Sequence, residues 1–141
     1  SLKVLIFGNN FNQPLIQLPL SLIELKLGSK FNQSLFCDGV CVLPGSLLIL
    51  EFGNGFNEPI YNDYMCALPS NLEYLKFGRT FNEPIADKDV KFIPNFIKVL
   101  EFGDKFNQPL FTGPGRSALP ESLRELIFGD NFFQFYLVQI K

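Results

Sequence analysis

The amino-acid sequence predicts a solenoid of about six coils, with mainly parallel β-structure along one side, extended or 3₁₀ returns on the other, and little or no α-helix. Three observations predict it. First, the phrase L-x-x-L-x-F-G-x-x-F-N-x-P-[LI] returns through all 141 residues, its glycine at Gly8, Gly28, Gly53, Gly78, Gly103 and Gly129, in steps of 20, 25, 25, 25 and 26. A period in the twenties marks a repeat architecture, in which each unit buries its apolar face on its neighbours. Second, apolar residues alternate just before each glycine, as in a strand with one buried face. Third, the intervening segments are too short and too aperiodic for a helix. One domain, residues 1–141, is expected, divided into repeats 1–19, 20–44, 45–69, 70–94, 95–120 and 121–141, the last acting as an irregular C-terminal cap.

The strand comes first in each repeat. With the first leucine of the phrase as position 1, position 4 holds Leu5, Leu25, Leu50, Leu75, Leu100 and Leu126, and position 6 holds Phe7, Leu27, Phe52, Phe77, Phe102 and Phe128. Their spacing turns both toward the core. Successive strands run the same way and form a parallel, in-register sheet. The glycine at position 7 follows the strand without exception, which suggests a backbone angle closed to other residues.

The turn follows. Position 10 is phenylalanine in every repeat: Phe11, Phe31, Phe56, Phe81, Phe106 and Phe132. Together with Phe7, Phe52, Phe77, Phe102 and Phe128 these form two columns of rings, a phenylalanine spine through the core. Position 11 is Asn12, Asn32, Asn57, Asn82 and Asn107. A carboxamide offers donors and acceptors to a buried turn backbone, so these five are expected to form a structural ladder. Pro14, Pro59, Pro84 and Pro109 stiffen the exit, with Ser34 the exception. The returns vary in sequence and end in Leu-Pro or Ile-Pro. The first is shorter than the next by five residues and should leave a thin place.

Here the residues acquire a family. L-x-x-L-x-F is similar to the strand half of a leucine-rich repeat. Phe7-Gly8-Asn9-Asn10-Phe11-Asn12-Gln13-Pro14 and Phe102-Gly103-Asp104-Lys105-Phe106-Asn107-Gln108-Pro109 resemble the FNIP, or FGxxFN, variety of it. The resemblance implies a right-handed leucine-rich-repeat solenoid with a concave parallel sheet. It also implies protein binding with no named partner. Such repeats abound in amoebae and in giant DNA viruses of protists, sometimes joined to F-box or kinase domains. Ordinary leucine-rich repeats place asparagine at position 9, so the ladder here is displaced.

Composition excludes several functions. Net charge is -2 with no basic tract, so nothing supplies the electrostatic footprint of a nucleic-acid binder. Apolar runs are far too short for a membrane span. There is no histidine, which removes the commonest general base and the commonest nitrogen ligand of zinc. Asp87-Lys88-Asp89 lacks the later ligands of a calcium loop. Gly53-Asn54-Gly55 and Gly113-Pro114-Gly115 lack the context of a phosphate loop. No catalytic, cofactor or metal residues are therefore assigned. Cys37, Cys41 and Cys66 are odd in number and read as reduced thiols, with Cys41 and Cys66 as stacked, buried small residues in an intracellular, cytoplasmic protein.

The expected function is a non-catalytic protein–protein interaction scaffold. The alternatives are a self-assembling structural module or an adaptor fragment of a larger F-box or kinase protein. The candidate binding face is the concave sheet. Position 5 gives it a charged row, Lys26, Glu51, Lys76 and Glu101, and position 3 an apolar stripe, Ile49, Tyr74 and Val99. Tyr74 is the preferred anchor. Leu2, Leu5 and Phe7 are left without a cover at one end. At the other, Phe133 stands where asparagine is expected, and Phe135 and Tyr136-Leu137-Val138 follow. These apolar ends call for flanking sequence or a second copy of the chain, hence a homodimer through uncapped ends.

Overall fold

The computed structural model describes residues 1–63 and 65–132. Among these, twelve short strands and no helix occur. In chain order they are β1 (Val4–Ile6), β2 (Glu24–Lys26), β3 (Phe36–Cys37), β4 (Val40–Cys41), β5 (Ile49–Glu51), β6 (Tyr74–Lys76), β7 (Ala86–Asp87), β8 (Val90–Lys91), β9 (Val99–Glu101), β10 (Phe111–Gly113), β11 (Arg116–Ser117) and β12 (Glu125–Ile127). The molecule is a parallel β-solenoid. One sheet of six strands, in the order β1-β2-β5-β6-β9-β12, takes one strand from each repeat.

The register follows the phrase without slippage. Leu25 pairs with Leu50, Leu50 with Leu75 and Leu75 with Leu100, so each sequence position becomes a straight column. One carbonyl anchors each step. The Lys3 oxygen accepts from the N–H groups of Ile23 (2.8 Å) and Glu24 (3.0 Å), and Leu48 likewise from Glu73 and Tyr74. Beyond the strand, the N–H of Phe52 donates to Lys76 O and that of Phe77 to Glu101 O, both at 2.8 Å.

The core lies between sheet and returns. Leu25, Leu50, Leu75 and Leu100 are fully buried, as are Leu22, Leu47, Leu72 and Ile97 at position 1. Among the described residues no polar or charged side chain is buried. The interior is thus hydrophobic throughout, and burial of apolar area is the main force holding repeat to repeat.

The position-7 glycines correct an expectation. None of them has a positive φ; that conformation belongs to Gly39 and Gly115 in the returns. What reserves the position is close approach. A Cβ on Gly78 would strike the carbonyl group of Gly53 in the repeat before it, while one on Gly8 would meet nothing within 4 Å. The glycine lets one coil lie against the next.

The returns take the extended form of the two expected, with a hairpin pairing that was not foreseen. They hold no 3₁₀ segment among the described residues, and three of them fold into antiparallel hairpins, β3–β4, β7–β8 and β10–β11. In the third repeat a single bridge, Tyr61 to Cys66, does the same. Turn chemistry explains this. Asp38 (φ 51°) and Gly39 (φ 78°) form a left-handed pair between Cys37 and Val40, the backbone that a two-residue hairpin loop requires. Pro114-Gly115, with φ 69° at the glycine, turns the last hairpin. The hairpins pair backbone groups that an open return would leave unpaired: Val42 N–H donates to Leu35 O at 2.9 Å and Ala118 N–H to Leu110 O at 2.7 Å. The shorter first return bends at Gln17 (φ 53°) and borders a groove of about 280 Å³ lined by Leu15, Ile16, Leu18, Cys37, Val40 and Leu43. The expected cap formed by residues after Phe132, including Phe133 and Phe135, lies outside the described residues.

Candidate functional site

The solvent face of the sheet is built by the strands themselves. With position 4 turned inward, positions 3 and 5 turn outward. Ile49, Tyr74 and Val99 lie side by side on β5, β6 and β9, each half-buried. The neighbouring row runs Lys26, Glu51, Lys76, Glu101 in the same register. Lys26 Nζ lies 3.6 Å from Glu51 and 3.2 Å from Glu24 on its own strand, and Lys76 lies 3.7 Å from Glu101. The hydrogen bond with Glu24, then the charge of Glu51, holds the Lys26 ammonium above the usual lysine range. Burial, then the carboxylates of Glu51 and Glu101, pushes the Tyr74 phenol up. Tyr74 is therefore a neutral aromatic at physiological pH. The face joins an apolar stripe to alternating charges, which suits contact with a polypeptide surface. Among the described residues no group of three His, Cys, Asp or Glu side chains could hold a metal ion. No helix among them is long and apolar enough to cross a membrane.

The rings stack in two directions. Within a repeat the pairs Phe7–Phe11, Phe52–Phe56, Phe77–Phe81, Phe102–Phe106 and Phe128–Phe132 have centroids 3.7–4.0 Å apart. Between repeats Phe11, Phe31, Phe56, Phe81, Phe106 and Phe132 follow one another at 6.0–6.2 Å with nearly parallel planes. Leu27 interrupts the position-6 column and is buried in place of a ring.

The asparagines are exposed rather than buried, because their turn forms the rim of the coil. Their side chains nevertheless link the repeats. The Oδ1 atoms of Asn12, Asn32, Asn57 and Asn82 accept the backbone N–H of Asn32, Asn57, Asn82 and Asn107 in turn, at 2.8–2.9 Å. The bonding is through the acceptor alone, which a neutral amide supplies without the repulsion that a column of carboxylates would create.

Two further columns escaped the sequence reading. At position 8, Asn9, Asn54 and Asp104 accept the backbone N–H of Ser29, Arg79 and Asp130 through their Oδ1 atoms. One residue before position 1, the hydroxyls of Ser21, Ser46 and Ser122 donate to the carbonyls of Leu2, Leu22 and Ile97 at 2.6–2.7 Å. The signal was a small polar residue recurring beside an invariant apolar one. The cysteines behave likewise. Cys41 and Cys66 are half-buried, and their thiols donate to Ala67 O (2.9 Å) and Phe92 O (3.0 Å) in the following repeat. They are weak hydrogen-bonding groups as well as small apolar ones. Burial pushes both thiols above their ordinary pKa.

Six parallel strands, no helix among the described residues, and side-chain columns that bond one coil to the next define a repeat protein of leucine-rich type. The sequence matches the family model described as FNIP Repeat over residues 1–30, 11–55 and 87–131. These stretches cover more than half of the chain, and it belongs to the FNIP repeat family. No curated protein matches the chain.

Proposed function

We propose that the chain is a non-catalytic protein-interaction scaffold whose binding surface is the solvent face of the six-stranded sheet. The observation that carries this reading is the in-register stripe Ile49–Tyr74–Val99, half-exposed beside the Lys26–Glu51–Lys76–Glu101 row. Tyrosine is enriched among interface anchors, since it offers a large rigid surface and a polar tip. FNIP membership supports the reading, because solenoids present such extended faces to partners. The three free thiols favour a reducing, intracellular location.

The test is affinity capture from host extract with wild type and Tyr74→Ala. Loss of a central anchor should weaken retention of a specific partner more than about tenfold, with melting almost unchanged. Equal retention by both proteins would move the binding surface elsewhere. A second reading, pairing of two copies through the first repeat, is favoured by the exposure of Leu2 (48%), Val4 and Ile6 (63%). Light scattering over a dilution series checks it: a concentration-dependent mass supports pairing, and a constant monomer mass removes it.

A further inference from the structure

Two residues beyond the position-10 phenylalanine of each of the first five repeats stands a glutamine or a glutamate: Gln13, Gln33, Glu58, Glu83 and Gln108. The glutamines show what this place does. Gln33 Nε2 donates to Asn12 Oδ1 at 3.0 Å and to Asn12 O at 3.2 Å, and Gln108 Nε2 donates to Asn82 O at 2.9 Å and Asn82 Oδ1 at 3.3 Å. Each amide reaches back to two oxygens of the preceding asparagine and closes the turn on its neighbour.

Glu58 and Glu83 stand in the same place, behind Asn32 and Asn57. The Oδ1 atoms of those asparagines already accept the N–H groups of Asn57 and Asn82. The oxygens that a glutamine meets at this place are acceptors, and an ionised carboxylate has no proton to give such atoms. Neither glutamate has a hydrogen bond or an ion pair among the described residues. Along the column Glu58 faces Glu83 on one side and neutral Gln33 on the other, and Glu83 faces Glu58 and neutral Gln108.

We infer that Glu58 and Glu83 form an acid-operated latch on the asparagine turns, each carboxyl on protonation becoming the donor that glutamine is in the outer repeats. At neutral pH the two central turns lack that bond; in acid they gain it. The proton goes from solvent to a carboxylate oxygen and is shared with the facing asparagine oxygens. Burial, then the charge of Glu58, raises the proton affinity of Glu83 above the glutamate norm, in the sense the latch requires. The sign follows. A carboxyl whose folded pKa exceeds its unfolded value contributes stability that is complete below the unfolded pKa. That stability is lost as pH rises through the folded one.

The experiment is denaturant unfolding of wild type, Glu58→Gln/Glu83→Gln and Glu58→Ala/Glu83→Ala between about pH 4 and pH 8, the interval that spans glutamate titration. At the upper end the double glutamine variant should have an unfolding constant about tenfold below wild type, from two added hydrogen bonds. That advantage should vanish at the lower end. The double alanine variant should lack the part of the acid-side gain that wild type owes to these carboxyls. Carbon-13 titration of the wild-type carboxyls gives a reading free of mutation, with the Glu83 midpoint above the ordinary glutamate value. A glutamine variant that parallels wild type at every pH, or a Glu83 midpoint at or below the ordinary value, would overturn the inference.

Discussion

The first and fourth repeats carry the same phrase in different surroundings. Phe77, Phe81 and Leu75 are buried between neighbours on both sides, whereas Phe7, Phe11 and Leu5 are only half-buried. A Cβ on Gly78 would strike backbone, and one on Gly8 would stand in open space. Asn82 donates its N–H to the repeat before it and accepts from the repeat after it, whereas Asn12 only accepts, from the repeat after it. What the phrase contributes is thus decided by the coil beside it. Stability resides in the surfaces between repeats more than in any one repeat, as expected of a quasi-one-dimensional fold.

Substitution in matched pairs can break that comparison. The largest effect is expected at the spine. Phe81→Ala should cost about 3–5 kcal/mol in denaturant unfolding, because a fully buried ring leaves a cavity. Phe11→Ala should cost distinctly less, since part of its ring already faces solvent. Equal losses would mean that stacking between repeats adds little to burial.

Next come the turns. Asn82→Ala removes the acceptor for Asn107 N–H and should cost about 1 kcal/mol, a modest figure because the group is exposed. Asn82→Asp keeps an acceptor and should fall between wild type and alanine in thermal melts. If aspartate proves worse than alanine, charge repulsion with Glu58 and Glu83 outweighs the bond. Smallest is the charged row: Lys76→Ala loses a 3.7 Å pair with Glu101, both partly exposed, and should shift stability by less than about 1 kcal/mol. A larger shift would give the row a structural role beyond register.

The same comparison explains what could be read from the sequence. Leu75 and Phe77 announce a strand and its buried face because side-chain alternation is a local consequence of the pleat. Register was equally legible, since identical repeats stack like on like. The reason for Gly78 was not: its constraint comes from Gly53, twenty-five residues away, and no local pattern distinguishes a crowded glycine from a left-handed one. The exposure of the asparagines was missed because their neighbours are buried phenylalanines, while a rim position depends on where the coil bends. Asp38-Gly39 and Pro114-Gly115 are hairpin-turn residues that went unread, because the strands they join are only two or three residues long. On the candidate binding face the sequence located Tyr74 and the charged row. It did not reveal the Glu24–Lys26 contact within one strand, which depends on side-chain reach.

The claim that the repeats are held by their mutual contact is tested most directly by one paired measurement: the unfolding free energies of Gly78→Ala and Gly8→Ala. The same methyl group is added to the same phrase in both. Gly78→Ala should lose about 1–3 kcal/mol or more, because backbone must move to admit the methyl. Gly8→Ala should stay within about 0.5 kcal/mol of wild type, as at an open surface site. Equal losses at the two positions, or a larger loss at Gly8, would contradict the account, since the glycine would then serve its own turn and not the coil beside it.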